Sequence, residues 1–236
     1  MSTNYFDTSG NTNLKFSPVK MSHKDLILKW FEEDHVKEFF YGDGVKNTLK
    51  NLDLFCQGIN DNSNYTFHHW VALHENTPFA FIMTSPVDGP YDENDDYNKW
   101  YVDGSKTFTL DLLIGEKDFL GKGLAHVMIQ KFILDQYADA DYFIIDPEAE
   151  NTKAIHVYEK AGFKKVGELC PAFNPKPHIM MRLIVDELRK SLNILLTPLW
   201  RLVISVTKSL YPFLLAISSM PNKPMPEMLF QSILSS

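Results

Sequence analysis

The sequence predicts an α/β fold, a mixed sheet with helices packed on it, and three observations predict it. Residues 107–168 run strand, glycine turn, helix, strand, helix, strand, which is a βαβα core with a further strand attached. Runs rich in β-branched and aromatic residues precede and follow that core. The composition, 44% hydrophobic and 22% charged over 236 residues, suits one well-buried core, or one core with an appendage.

Taken in order, residues 1–13 are polar and read as a flexible leader with no apolar stretch of the signal-peptide kind. Residues from Leu14 read as a short strand. Ser22 is the expected N-cap of a helix whose Leu26, Ile27, Trp30 and Phe31 recur at helical spacing. A second short helix is expected around Val36 to Phe40, ended by "GDG", and a third over 46–60. "YTFHHWVALHENTPFAFIMTSPV" reads as strand, turn, strand, with "ENTP" at the turn. His68 and His69 are neighbours in a strand and point to opposite faces, which makes them a poor metal pair. Residues 88–105 hold Asp88, Asp92, Glu93, Asp95, Asp96 and Asp103 against Lys99 alone, so they form an acidic loop.

"TFTLDLLIG" (107–115) alternates and then turns apolar, as a strand entering a core does. "GKG" at 121–123 ends a turn, and Leu124, Val127, Met128, Phe132 and Ile133 give the next helix its apolar face. "DYFIID" is a short buried strand. In "NTKAIHVYEKAGF" (151–163), Asn151 is placed to cap a helix and Gly162 to end it in the left-handed conformation. "FKKVGEL" and "HIMMRLIV" are two more strands.

Charge and cysteine content narrow the function. The net charge is −7, with no clustered Lys and Arg of the kind a nucleic-acid surface needs. An acidic surface favours cationic small molecules instead. The two cysteines, Cys56 and Cys170, have no paired-ligand spacing, and a reduced, cytoplasmic protein is the expectation. A glycine turn opening onto a helix presents backbone N–H groups to an anion such as a pyrophosphate.

The stretch 107–168 resembles the acetyl-CoA-binding core of the GCN5-related N-acetyltransferases (GNAT). That superfamily carries Gln/Arg-x-x-Gly-x-Gly/Ala, and here "DFLGKG" supplies both glycines, with Asp118 at the leading position. It also carries Asn-x-x-Ala-x-x-x-Tyr-x-x-x-Gly-Phe, matched in full by Asn151, Ala154, Tyr158, Gly162 and Phe163. The resemblance implies a mostly antiparallel mixed sheet, helices on both faces, and two parallel strands that splay to take acetyl-CoA, here 107–114 and 141–146. Within the superfamily the core looks most similar to aminoglycoside 6′-N-acetyltransferases and to siderophore-type N-acyltransferases. Asp111, where the second group usually has histidine, favours the first. More loosely, "HVKEFF" looks like the substrate-side helix of these enzymes.

The resemblance implies roles residue by residue. Leu120, Gly121, Lys122, Gly123, Leu124 and Ala125 would hold the cofactor's pyrophosphate, with Lys117 near. A backbone N–H near Leu113 would polarise the thioester carbonyl, and Asn151 would touch the pantetheine arm. Tyr158 would give a proton to the departing thiolate. Asp111 and Asp146 would bind the acceptor ammonium, with Asp111 taking its proton, directly or through water. A carboxylate in an apolar strand is costly unless paired or used. Asp95, Asp96 and the rest of the acidic loop would concentrate a polyamine, and Trp100 would pack on a sugar ring. Acetyl-CoA is the implied co-substrate, and no metal is implied.

Residues 14–185 are thus expected to form the acetyltransferase domain, and 186–236 an apolar helical extension. Residues 191–219 hold Arg201 and Lys208 and no acid, and Thr197, Arg201, Ser205 and Lys208 share one stripe. A central Arg costs a spanning helix roughly 2.5–3.5 kcal/mol. An amphipathic helix follows, one that packs on its own core, pairs two copies, or lies on a membrane surface. The expected function is acetylation of a primary amine on a cationic small molecule, foremost an aminoglycoside. A siderophore-type lysine or hydroxylysine acyltransferase, and a non-catalytic CoA-binding or membrane-associated member, stay open beside it.

Overall fold

The computed structural model describes residues 13–62, 65–87, 89, 100–171 and 176–192. Residues 1–12 of the expected leader, the acidic-loop residues Asp95 and Asp96, and the stretch 193–236 lie outside the described residues, and with them most of the expected tail helix. The chain divides into two units, 1–189 and 190–236, and all elements named below lie in the first.

Strand β1 (Leu14–Pro18) opens the fold, followed by helices α1 (Lys24–Phe31), α2 (Asp34–Lys37) and α3 (Gly42–Cys56). A hairpin of β2 (His68–His74) and β3 (Thr77–Val87) leads to β4 (Thr107–Ile114), α4 (Leu124–Gln136) and β5 (Tyr142–Ile145). The unit continues with α5 (Thr152–Ala161), β6 (Lys164–Leu169) and β7 (His178–Ile184). These strands form one sheet in the order β1-β2-β3-β4-β5-β7-β6, antiparallel throughout except for the parallel pair β4/β5.

Three local details differ from the sequence reading. Ser22 is not a cap: an extra 3-10 turn over Met21–His23 absorbs it, and His23 Nδ1 accepts from the Lys20 N–H instead. Helix α3 starts at Gly42, so "GDG" is its first turn and not the stop of the helix before. The hairpin turn is Glu75–Asn76, with φ of +50° and +68°, while Thr77 and Pro78 already pair in the sheet.

Side-chain alternation sorts the sheet into two faces. Val71, Phe81, Met83 and Leu113 pack on Ile27, Trp30, Phe31, Val36 and Leu52 of α1 to α3. On the other face Trp70 meets Phe132 of α4, and Phe108 and Phe143 meet Tyr137 just past its end. Helix α5 joins α4 on that side, where Gln130 donates to the Ala161 carbonyl at 3.3 Å. Close packing fixes Gly115: a Cβ there would stand 2.0 Å from the Trp30 ring. Trp30 also donates from Nε1 to Glu116 Oε1 at 2.9 Å, so α1 is pinned at the end of β4.

Candidate active site

The parallel pair β4/β5 is joined at Thr107↔Tyr142, Phe108↔Phe143 and Thr109↔Ile144, and nowhere further. Beyond Thr109, β4 runs on to Ile114 along β3 alone among the described residues. A gap therefore opens in mid-sheet beside Leu110–Ile114. Backbone direction in this stretch follows from one bond. The Gly115 N–H donates to the Phe79 carbonyl at 2.9 Å, and the pairs alternate from there along the register. Leu113 thus turns its N–H toward Phe81 of β3, and the amide that faces the gap is that of Leu112. The amide expected near Leu113 is corrected to its neighbour, because an antiparallel strand offers only every second N–H to each side. Leu113 itself is buried in the core on the α1–α3 face.

Alternation also places the carboxylates. Asp111 shares the face of Leu113, and Asp146, two residues past Ile144, follows onto that same face. The Asp111 side chain is exposed on that face. Desolvation by the surrounding protein and the charge of Asp146 nonetheless push its pKa up to about 7, against a pull downward from His178. His178, the first residue of β7, is bonded through Nδ1 to the Asp146 carbonyl at 2.6 Å and to Oδ2 at 3.0 Å.

Tyr158 comes from the other face. It is 7% exposed, on α5, and burial together with the charges of Asp111 and Asp146 holds its hydroxyl proton well above the usual phenol range. The end of α5 fixes the ring. Gly162 (φ +109°) lets its own N–H reach the Glu159 carbonyl and the Phe163 N–H reach that of Tyr158, at 3.1 and 3.0 Å. At the other end of α5, Asn151 Oδ1 accepts from the Ala154 N–H at 3.1 Å, so a ligand contact from Asn151 falls to Nδ2.

The glycine turn has the geometry of an anion cradle. Gly121 and Gly123 have φ of +69° and +71°, both are exposed, and Gly123 is the residue from which the 13-residue helix α4 starts, without a side-chain cap. Its first N–H groups consequently lack helical acceptors. Leu120 and Lys122 are exposed beside it, Leu124 is buried under it, and Ala125 is half-buried. Lys117 is committed elsewhere, to Glu33 at 2.8 Å. Trp100 is half-buried against Val87, Ile144, Leu169 and Met180, close enough that a Cβ on Gly167 would meet its ring at 2.2 Å.

One group went unforeseen. Glu148 is buried at 5% exposure, accepts from Tyr41 Oη, and pairs with Lys176 Nζ at 3.1 Å, while Lys176 also lies over the Tyr41 ring. Burial without a partner would be costly for a carboxylate, and the lysine and phenol supply it. The "DPEAEN" segment shows the acid, but its partners lie 107 and 28 residues away in sequence, and only the fold joins them.

Comparison with known proteins agrees with this fold. The family model described as an acetyltransferase (GNAT) domain matches residues 20–170. The chain belongs to the GNAT acetyltransferases. A solved aminoglycoside N(6′)-acetyltransferase from Legionella pneumophila is 35% identical, with a TM-score of 0.65 over 77% of this chain and 97% of that one. The aminoglycoside N(6′)-acetyltransferase type 1 of Klebsiella pneumoniae is 24% identical over 72% of this chain and 84% of its own length. A spermidine N-acetyltransferase from Vibrio cholerae, solved with CoA and spermine, shares the fold at 16% identity and a TM-score of 0.53, over 75% and 99%. His35 Nε2 of α2 lies 2.8 Å from the Ile114 carbonyl, which ties α2 to the end of β4.

Proposed function

We propose that this GNAT enzyme moves an acetyl group from acetyl-CoA to a primary amine of a cationic acceptor, foremost the 6′-amine of an aminoglycoside. The observation that carries the reading is the convergence of Asp111, Asp146 and Tyr158 on the gap between β4 and β5, two from one face of the sheet and one from the other. Acetyl-CoA would supply an activated acetyl thioester there. The exposed glycine turn and the uncapped start of α4 would hold its pyrophosphate through backbone N–H groups, with Lys122 adding charge. The Leu112 N–H and Asn151 Nδ2 would hold its extended arm along the gap.

The chain's own side chains then divide the proton work. Asp146 and Asp111 bind an ammonium, and Asp111, ionised above about pH 7, takes its proton at a carboxylate oxygen. Tyr158 keeps its proton far above neutral pH, which makes it a donor. Trp100 has no part in this reading, since its ring is spent on packing over Gly167.

The test is thiol release from acetyl-CoA with neomycin, which has a 6′-amine, paromomycin, which has a 6′-hydroxyl in its place, spermidine, and hydroxylated lysine. Release with neomycin that is much faster than with paromomycin supports the reading, and its rate should climb with pH through about 7. Release with spermidine or hydroxylysine alone would move the acceptor to that class.

A further inference from the structure

Among the described residues, His178 is the one partner of the two carboxylates that the reaction above leaves unused. A carbonyl oxygen can only accept, so the 2.6 Å contact from Nδ1 to the Asp146 carbonyl puts the proton on Nδ1. That N–H is shared with Asp146 Oδ2 at 3.0 Å. The bond holds in both charge states of the ring, because protonation adds its hydrogen at Nε2. The ring is fixed by the fold: β7 pairs antiparallel with β5, and the strand is prolonged by the bridge Glu148↔His178 and by the Ile179 N–H on the Pro147 carbonyl at 2.9 Å.

We propose that His178 is a positioning residue for the acceptor carboxylates. Its Nδ1–H clamps Asp146 by side chain and backbone together on the face where Asp111 stands, and its ring takes on or gives up a charge without releasing the clamp. The inference rests on the reading of Asp111 and Asp146 as the groups that meet the acceptor.

The charged surroundings favour this. Asp146 and Glu148 face the ring from the β5–α5 connection and Asp111 from β4. Tyr158 from α5 feels the same carboxylates. Lys176, two residues before His178, is held by Glu148 and Glu150, and Glu148 is held in turn by Tyr41 at the start of α3. Burial disfavours an imidazolium, yet the bond and charge of Asp146, helped by Glu148, more than offset it and hold the pKa of His178 above its ordinary value. An imidazolium there relieves the repulsion between the two carboxylates, so Asp111 can ionise at a lower pH than it would beside Asp146 alone.

The experiment has two arms on the full chain. In the first, the imidazole nitrogens are followed by NMR against pH, with His178→Asn assigning the resonance. Expected are an Nδ1–H tautomer and a titration midpoint above 6.5, which falls by about one pH unit in Asp146→Asn. A midpoint that stays put in Asp146→Asn overturns the clamp whatever the acceptor. In the second arm, neomycin turnover is measured from pH 6 to 9. His178→Asn keeps a donor near the Nδ1 position without a charge. It should lose about tenfold in kcat/KM at pH 6 and recover by pH 9, while His178→Leu should be impaired throughout, with acetyl-CoA affinity intact in both. A wild-type profile in His178→Leu overturns the inference. If neomycin is not turned over at all, the reading of the acceptor fails by itself, and the first arm still decides the clamp.

Discussion

Tyr158 and His69 are both buried titratable groups, and their surroundings set opposite expectations. Burial, with the neighbouring carboxylates adding to it, keeps the Tyr158 proton in place. Tyr158→Phe should fold normally, keep its affinity for acetyl-CoA, and lose about 10²-fold or more in kcat, the usual scale for one acid. A wild-type rate would remove the proton-donor role. His69 is 3% exposed among Phe55, Phe67 and Phe81. Burial lowers its pKa from 6.5 to about 4, with His68 adding to the effect. The unfolded chain therefore binds this proton below 6.5 and the folded one only near 4. Stability is full above that window and falls as pH drops through it, by about 3 kcal/mol. Urea unfolding of His69→Phe, which has no proton to gain, should show that much less acid sensitivity than wild type. Equal pH dependence in the two would refute it.

The elements were legible in the sequence to the extent that local chemistry decides them. The motif Asn151 to Phe163 fixes α5 at both ends, and the Asn cap and Gly stop appear as read. The edges that failed were decided elsewhere. Ser22 lost its capping role to an added turn, and α3 gained a first turn that begins at Gly42, whose φ of +68° an ordinary residue rarely adopts. Gly115 is a third kind, a glycine with no local signal, required by Trp30 from another element. Gly115→Ala should cost about 1–3 kcal/mol of stability, as overpacking does. Combining it with Trp30→Leu should recover part of that loss in a double-mutant cycle. Strict additivity would mean that the collision is relieved by backbone movement and not by the ring.

At the scale of the whole molecule, the proposed function has the charge of −7 and the paired carboxylates act together on a cationic acceptor, while acetyl-CoA is an anion. Raising salt from low to physiological strength, where the Debye length is about 8 Å, should raise KM for neomycin several-fold with little rise in KM for acetyl-CoA. Parallel changes in both would argue against an electrostatic acceptor site. The sequence showed Asp111, Asp146 and Tyr158 but not why they meet. That takes the sheet order, the shared face and the opening beside β4, none of which is local. Glu148, Lys176 and Tyr41 stayed hidden for the same reason.

That opening has a consequence of its own. The Leu112 amide sits in the middle of a sheet yet faces no neighbouring strand, so it should swap hydrogen with the solvent like an amide on an outer edge. The Leu113 amide, bonded to β3, should be slow. Acetyl-CoA laid along the gap should quiet Leu112 and leave Leu113 as it was. A single backbone hydrogen would then report occupancy of the enzyme with no acceptor present and no turnover needed.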